Sequence, residues 1–194
     1  MSKKIRAFIA ISLPERILQA IAKLQETLKG SGFKIRWTRK EGIHLTIKFL
    51  GDIEWDDVEK IHVAMERTTL DFSPFTLRGE GVGVFPDIRR PRVVWIGLTG
   101  DVEALSLLQR GLEDQLNSFG FPKERRAFKG HLTVGRVKGR VDLAKLAKAL
   151  EALEEFQTES FTAQSVVLFQ SDLRPNGAVY SRLAEVPLES VLSE

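Results

Sequence analysis

The feature that most limits this chain is a long internal repeat. "HLTI" at His44–Ile47 returns as "HLTV" at His131–Val134, 87 positions later, and the match extends well beyond the tetrapeptide. The same offset lays "AFIAIS" (Ala7–Ser12) on "VWIGLT" (Val94–Thr99), with an aromatic on an aromatic and Ile9 on Ile96. Downstream, "PFTLRGEGVGVF" (Pro74–Phe85) answers "SFTAQSVVLF" (Ser160–Phe169); the Phe-Thr pair follows its histidine by 31 residues in the first copy and 30 in the second. Self-similarity on this scale is one supersecondary unit used twice, and two copies are too few for a solenoid. The expectation is one pseudo-symmetric domain over residues 1–194, with repeat halves of about 1–90 and 91–194.

Within each copy the periodicities agree on strand, helix, strand, helix, strand. Ile17, Ile21, Leu24 and Leu28 form one helical stripe, and Val58, Ile61 and Met65 the next. In the second copy the stripes are Leu105, Leu108, Leu112 and Leu116, then Leu143, Leu146, Leu150 and Leu153. Strand patterns fall at residues 5–13, 43–49, 75–84, 92–98, 131–137, 161–169 and 178–186. Strands also follow one another directly near 75–98 and 161–186, so mixed or antiparallel sheets with helices on the outer faces are expected, an α+β architecture in two lobes.

Composition narrows the chemistry. There is no cysteine, which removes disulfides, thiol nucleophiles and thiolate metal sites together and suits a reducing, cytoplasmic setting. The apolar run in "MSKKIRAFIAISLP" is short for a signal peptide or a membrane span and reads as a first strand. A net charge of +3 says little by itself, but "KIRWTRK", "KERRAFK" and "GRVKGR" all adjoin the two HLT sites, a placement that favours a polyanion there.

In "IHLTIKF" the residues Ile43, Leu45, Ile47 and Phe49 alternate with His44, Thr46 and Lys48, so a period of two puts the sets on opposite faces. His131 and Thr133 share a face in the second copy by the same rule. If helices cover the apolar faces, the His/Thr faces meet across the pseudo-twofold and line a polar cleft. His62, beside the second helical stripe and without a counterpart, reads as a helix-flank histidine. Two imidazoles can supply one base and one acid in a single turnover, and displacement at phosphorus needs both, because the nucleophile enters opposite the departing oxygen. The threonine hydroxyls are then placed to donate to non-bridging phosphate oxygens. Two histidines without a third ligand do not make a metal site, and no cofactor is implied.

"RWTRKEGIHLTIKFLGD", "GVFPDIRRPRVVWIGL", "FKGHLTVGR" and "LFQSDLRPNGAVYSRLAEVPL" together resemble the RNA 2',3'-cyclic phosphodiesterases, or 2'-5' RNA ligases, of the 2H phosphoesterase superfamily. The resemblance implies that superfamily's two-lobed fold, with a central cleft and lobes that mix segments of both halves. It implies a substrate RNA end with a 2',3'-cyclic phosphate, tRNA fragments among the candidates, opened to a 2'-phosphate. The reverse joining to a 2'-5' linkage is also known in the family. By the same resemblance His44 is the proton donor and His131 the proton acceptor, while Thr46, Thr133 and Arg136 bind substrate. Gly130 stands where the family pattern has proline, which leaves the approach to His131 freer. A soluble monomer without membrane contact is the expected state. Two other readings stay open: a non-catalytic RNA-binding module with Trp37, Phe85 and Phe128 stacking on bases, and the same chemistry on a small cyclic nucleotide or an ADP-ribose cyclic phosphate.

Overall fold

A computed structural model describes residues 3–175 and 177–189. Among these the chain forms four α-helices, α1 (Glu15–Lys29), α2 (Asp57–Thr69), α3 (Val102–Ser118) and α4 (Leu143–Glu151). It also forms nine strands, β1 (Lys4–Ile11), β2 (Ile35–Trp37), β3 (Leu45–Glu54), β4 (Phe75–Phe85), β5 (Val93–Gly100), β6 (Leu132–Val137), β7 (Gln157–Ala163), β8 (Ser165–Arg174) and β9 (Gly177–Pro187).

The strands join in the order β7-β4-β5-β6-β3-β1-β8-β9, with β2 on β6, and every pairing is antiparallel. In the sheet the two lobes, β7-β4-β5-β6 and β3-β1-β8-β9, are joined at the β3–β6 step, where Leu45 pairs with Leu132. Each lobe draws strands from both repeat halves: β4 runs beside β5 of the second half, and β8 beside β1 of the first. The pattern over 161–169 is thus not one strand. It breaks at Gln164, so that β7 pairs with β4 in one lobe and β8 with β1 in the other. The three-residue β2 is too short for any periodicity to register.

The helical stripes explain what the outer faces bury. Ile17, Ile21, Leu24 and Leu28 are buried, as are Ile61, Met65, Leu105, Leu108, Leu112 and Leu116. Each such side chain contributes roughly 1.5–3 kcal/mol on leaving water. The α4 stripe behaves differently: Leu146 is buried, Leu143 is exposed, and Leu153 lies beyond the helix end. Helix α1 also reaches the motif strand by hydrogen bonds, since buried Gln25 donates Nε2–H to the carbonyls of Val134 (2.8 Å) and Thr38 (2.9 Å). Helices α2 and α3 pack on each other and on the other lobe. The face left uncovered by the helices carries both motifs.

Candidate active site

His44 and His131 each stand one residue ahead of a motif strand, just before Leu45 and Leu132. Leu45, Ile47, Leu132 and Val134 point under the helices and are buried, whereas His44, Thr46, His131 and Thr133 stay partly exposed on the opposite face. The register does the rest. Pairing Leu45 with Leu132 in an antiparallel step sets His44 across from Thr133 and Thr46 across from His131. In a regular ladder the two histidines are then diagonal neighbours, roughly 7–8 Å apart. Among the described residues no three His, Cys, Asp or Glu side chains gather as metal ligands would.

The repeat builds an aromatic support behind each imidazole. Phe8 and Phe169, directly opposite on β1 and β8, stack with centroids 5.3 Å apart. Their counterparts Trp95 and Phe85 stack at 5.0 Å. The histidines use these supports differently. His44 lies flat on Phe8 at 4.6 Å and meets Tyr180 edge-on at 5.3 Å, and burial among the rings pushes its pKa down to about 4. His131 is edge-on to Phe85 at 5.0 Å, and its Nδ1 lies 2.7 Å from the carbonyl oxygen of Lys129. A carbonyl only accepts, so Nδ1 carries the hydrogen and the neutral ring presents its lone pair at Nε2.

Simple alternation fails just past each threonine. Opposite β1, residue Ile47 is an extra residue in β3, because Ile9 pairs with Lys48 and Ala10 with Thr46. A bulge of this kind turns the strand over by one residue. Lys48, expected on the His/Thr face, instead points under the helices, where its Nζ donates to Glu113 Oε2 (2.6 Å) and to the carbonyl of Pro122 (2.9 Å). Phe49, expected on the apolar face, is 66% exposed and tilts against Phe8 at 6.1 Å. A second irregularity follows at Leu50, where Gly51 takes a φ of 73° that strains any residue with a Cβ.

The second motif bulges at the equivalent place, since Val94 pairs with Gly135 and Trp95 with Thr133. Gly135 therefore faces inward: a Cβ there would lie 2.6 Å from Ile35 and 3.1 Å from Trp37. Arg136 turns onto the cleft face, exposed, with Arg36 directly opposite. Trp37 packs against the core, so it is not among the stacking surfaces of the cleft; Phe85 is occupied as the support of His131. Phe128 too packs against the core. At Gly130 the chain passes close to α3, since a Cβ there would come within 2.8 Å of the Leu105 side chain. His62 flanks α2 with Nε2 3.7 Å from Glu66, as its place in the helix predicts.

Tyr180 and Phe49, which join the rings around His44 and Phe8, are not marked by the repeat. Tyr180 lies in a segment with no counterpart in the first half, and Phe49 needs the bulge to be seen. No helix of the described residues is long and apolar enough to cross a membrane.

Known proteins resemble the chain along nearly its whole length. The family model of LigT-like phosphoesterases matches twice, over residues 11–95 and 96–180. An RNA 2',3'-cyclic phosphodiesterase of Methanothermobacter thermautotrophicus is 36% identical over 178 residues, covering 92% of this chain and 96% of that protein. One from Methanocaldococcus jannaschii is 34% identical over 180 residues, covering 93% and 99%. Among solved structures, LigT of E. coli in its apo form superposes with a TM-score of 0.77 at 22% identity, over 97% of this chain and 100% of that one, which speaks to the fold. With the double match to the family model and relatives of this identity, the chain belongs to the LigT-like phosphoesterases of the 2H superfamily.

Proposed function

We propose that this protein opens the 2',3'-cyclic phosphate at an RNA end to a 2'-phosphate, with His131 as base and His44 as acid. The observation that carries the reading is the pairing of Leu45 with Leu132, which brings the two His-Leu-Thr motifs side by side in the sheet. Water attacks phosphorus and loses a proton to His131 Nε2, the nitrogen left free by the bond from Nδ1 to Lys129. The P–O3' bond breaks on the opposite side, and O3' takes the proton that His44 carries. Thr46, Thr133 and Arg136 meet the non-bridging oxygens where charge grows. With an RNA 5'-hydroxyl in place of water, the same steps give a 2'-5' linkage. The names of the relatives favour an RNA end over a small cyclic nucleotide.

The chemistry of the site asks for no metal ion, and that is the first expected result. An oligonucleotide ending in a 2',3'-cyclic phosphate is converted to the 2'-phosphate in EDTA as fast as without it. Activity abolished by EDTA and restored by zinc or manganese would sink the two-histidine reading.

Burial keeps His44 neutral in the free protein at pH 7, yet the acid must carry a proton. A bound phosphodiester anion resolves the conflict, because a nearby negative charge favours the imidazolium and opposes the desolvation. Protonation of His44 is thus coupled to substrate binding. In NMR titrations its ring shifts with a midpoint near pH 4 in the free protein, and the midpoint moves up when a nucleoside 2'-phosphate is bound. The profile of kcat/KM is a bell with one limb turning near pH 4, since this parameter reports ionisations of the free protein. A His44 midpoint that stays put on ligand binding contradicts the coupling.

A further inference from the structure

Beside the second motif the sheet carries an arrangement that folding alone does not favour. In the β2–β6 ladder Arg36 lies directly opposite Arg136. The ladder continues one step past the strands, where the Lys138 N–H donates to the carbonyl of Lys34 (2.6 Å), so Lys34 and Lys138 form the next pair of the same kind. Positions 34 and 36, like 136 and 138, are two apart and share a face. That face is the cleft face, because Ile35, Trp37 and Gly135 point the other way into the core. All four side chains are exposed, and among the described residues none enters an ion pair. Like charges directly opposite one another destabilise a sheet, and here two such pairs stand in succession with no carboxylate to relieve them.

We propose that this ladder is a binding track for the RNA strand leading to the reacting end, holding its upstream phosphates. The inference rests on the RNA-end reading above. Arg136 stands three residues beyond Thr133 on the same face, next to the reacting phosphate, and the Lys34–Lys138 pair lies about 6.6 Å further out along the strands. The track therefore leads from the cleft to the sheet's open end, along one of the two exits open to a chain whose terminal phosphate lies between the histidines. A polyanion supplies the negative charge that the protein withholds. The repeat makes the assignment one-sided: the position equivalent to Arg136 in the first motif is Phe49, so cations line one exit from the cleft and an apolar ring the other.

The test compares salt dependences. For single strands the logarithm of the binding constant falls with the logarithm of salt with a slope of about −0.7 per phosphate neutralised. Binding of a fluorescent single-stranded oligonucleotide ending in a 2'-phosphate, followed by anisotropy, gives that slope without any turnover. Lys34→Gln/Lys138→Gln should make it shallower by about 1.4, while turnover of a mononucleoside 2',3'-cyclic phosphate, which has no upstream phosphate, shows that the fold and site are intact. Lys145→Gln/Lys148→Gln on α4 serves as the control and leaves the slope unchanged. A slope equal to wild type in the first variant overturns the track. An equal loss in the α4 control overturns it too, since a diffuse field would then explain the binding. Wild-type protein that turns over neither substrate refutes the catalytic reading instead, and the anisotropy slopes still decide the track.

Discussion

Alanine at His44 or at His131 lowers turnover of a cyclic-phosphate end by about 100-fold to 10,000-fold, the range for a lost general acid or base. Both variants remain folded, because each ring lies on the cleft face and not beneath the helices. The two lesions have different side effects. His131→Ala removes an edge contact with Phe85 and the bond to the Lys129 carbonyl, both at the surface of the cleft. His44→Ala removes a ring stacked on Phe8 and edge-on to Tyr180, and leaves a gap between them. Thermal melts beside single-turnover rates separate the effects. A variant with a native melt and near wild-type turnover, at either position, would mean that its histidine moves no proton.

Lys48→Met is expected to cost about 3–5 kcal/mol of folding stability, the penalty for leaving one member of a buried ion pair without its partner. The Lys48 and Glu113 side chains are only 5% and 9% exposed. Glu113 Oε2 also accepts from the backbone N–H of Glu124 (3.1 Å), and Oε1 accepts from Gln109 Nε2 (3.2 Å). The pair thereby fastens β3, two residues past Thr46, to α3 and to the loop that leads to His131. Replacing both charges, as in Lys48→Met/Glu113→Leu, recovers most of the loss, because no buried charge is then stranded. Urea unfolding of the two variants measures the difference. A double variant as unstable as Lys48→Met would show that the loop depends on these hydrogen bonds and not on avoiding a stranded charge.

How much of this was legible in the residues follows from what periodicity can carry. Three of the helical stripes and most of the long strands repeat their signal over several residues and fold as their spacing predicts, whereas the shorter α4 buries only Leu146 of its stripe. The repeat located both histidines and placed each with its threonine on one face. It could not show the bulges at Ile47 and Val134, because one inserted residue reverses the meaning of every later position in a strand. Lys48 and Phe49 change faces for that reason. Nor could the repeat reveal that β7 and β8 part at Gln164, since the equivalent stretch of the first half is the unbroken β4. The unlike settings of the two histidines are equally hidden from the repeat. Nearly equivalent sequences gave them unlike surroundings, one flat among buried rings and the other tied to a main-chain carbonyl.

The proposed division of acid and base between His44 and His131 is tested by one substitution in the substrate. If the bridging 3'-oxygen of the cyclic phosphate is replaced by sulfur, the leaving group becomes a thiolate, whose parent thiol has a pKa of about 8.5 and departs without a proton. His44→Ala should then regain much of its lost rate on the 3'-thio substrate, and His131→Ala should regain little, because water must still be deprotonated. Rescue of His131→Ala instead, or of neither variant, would contradict the assignment of His44 as the acid.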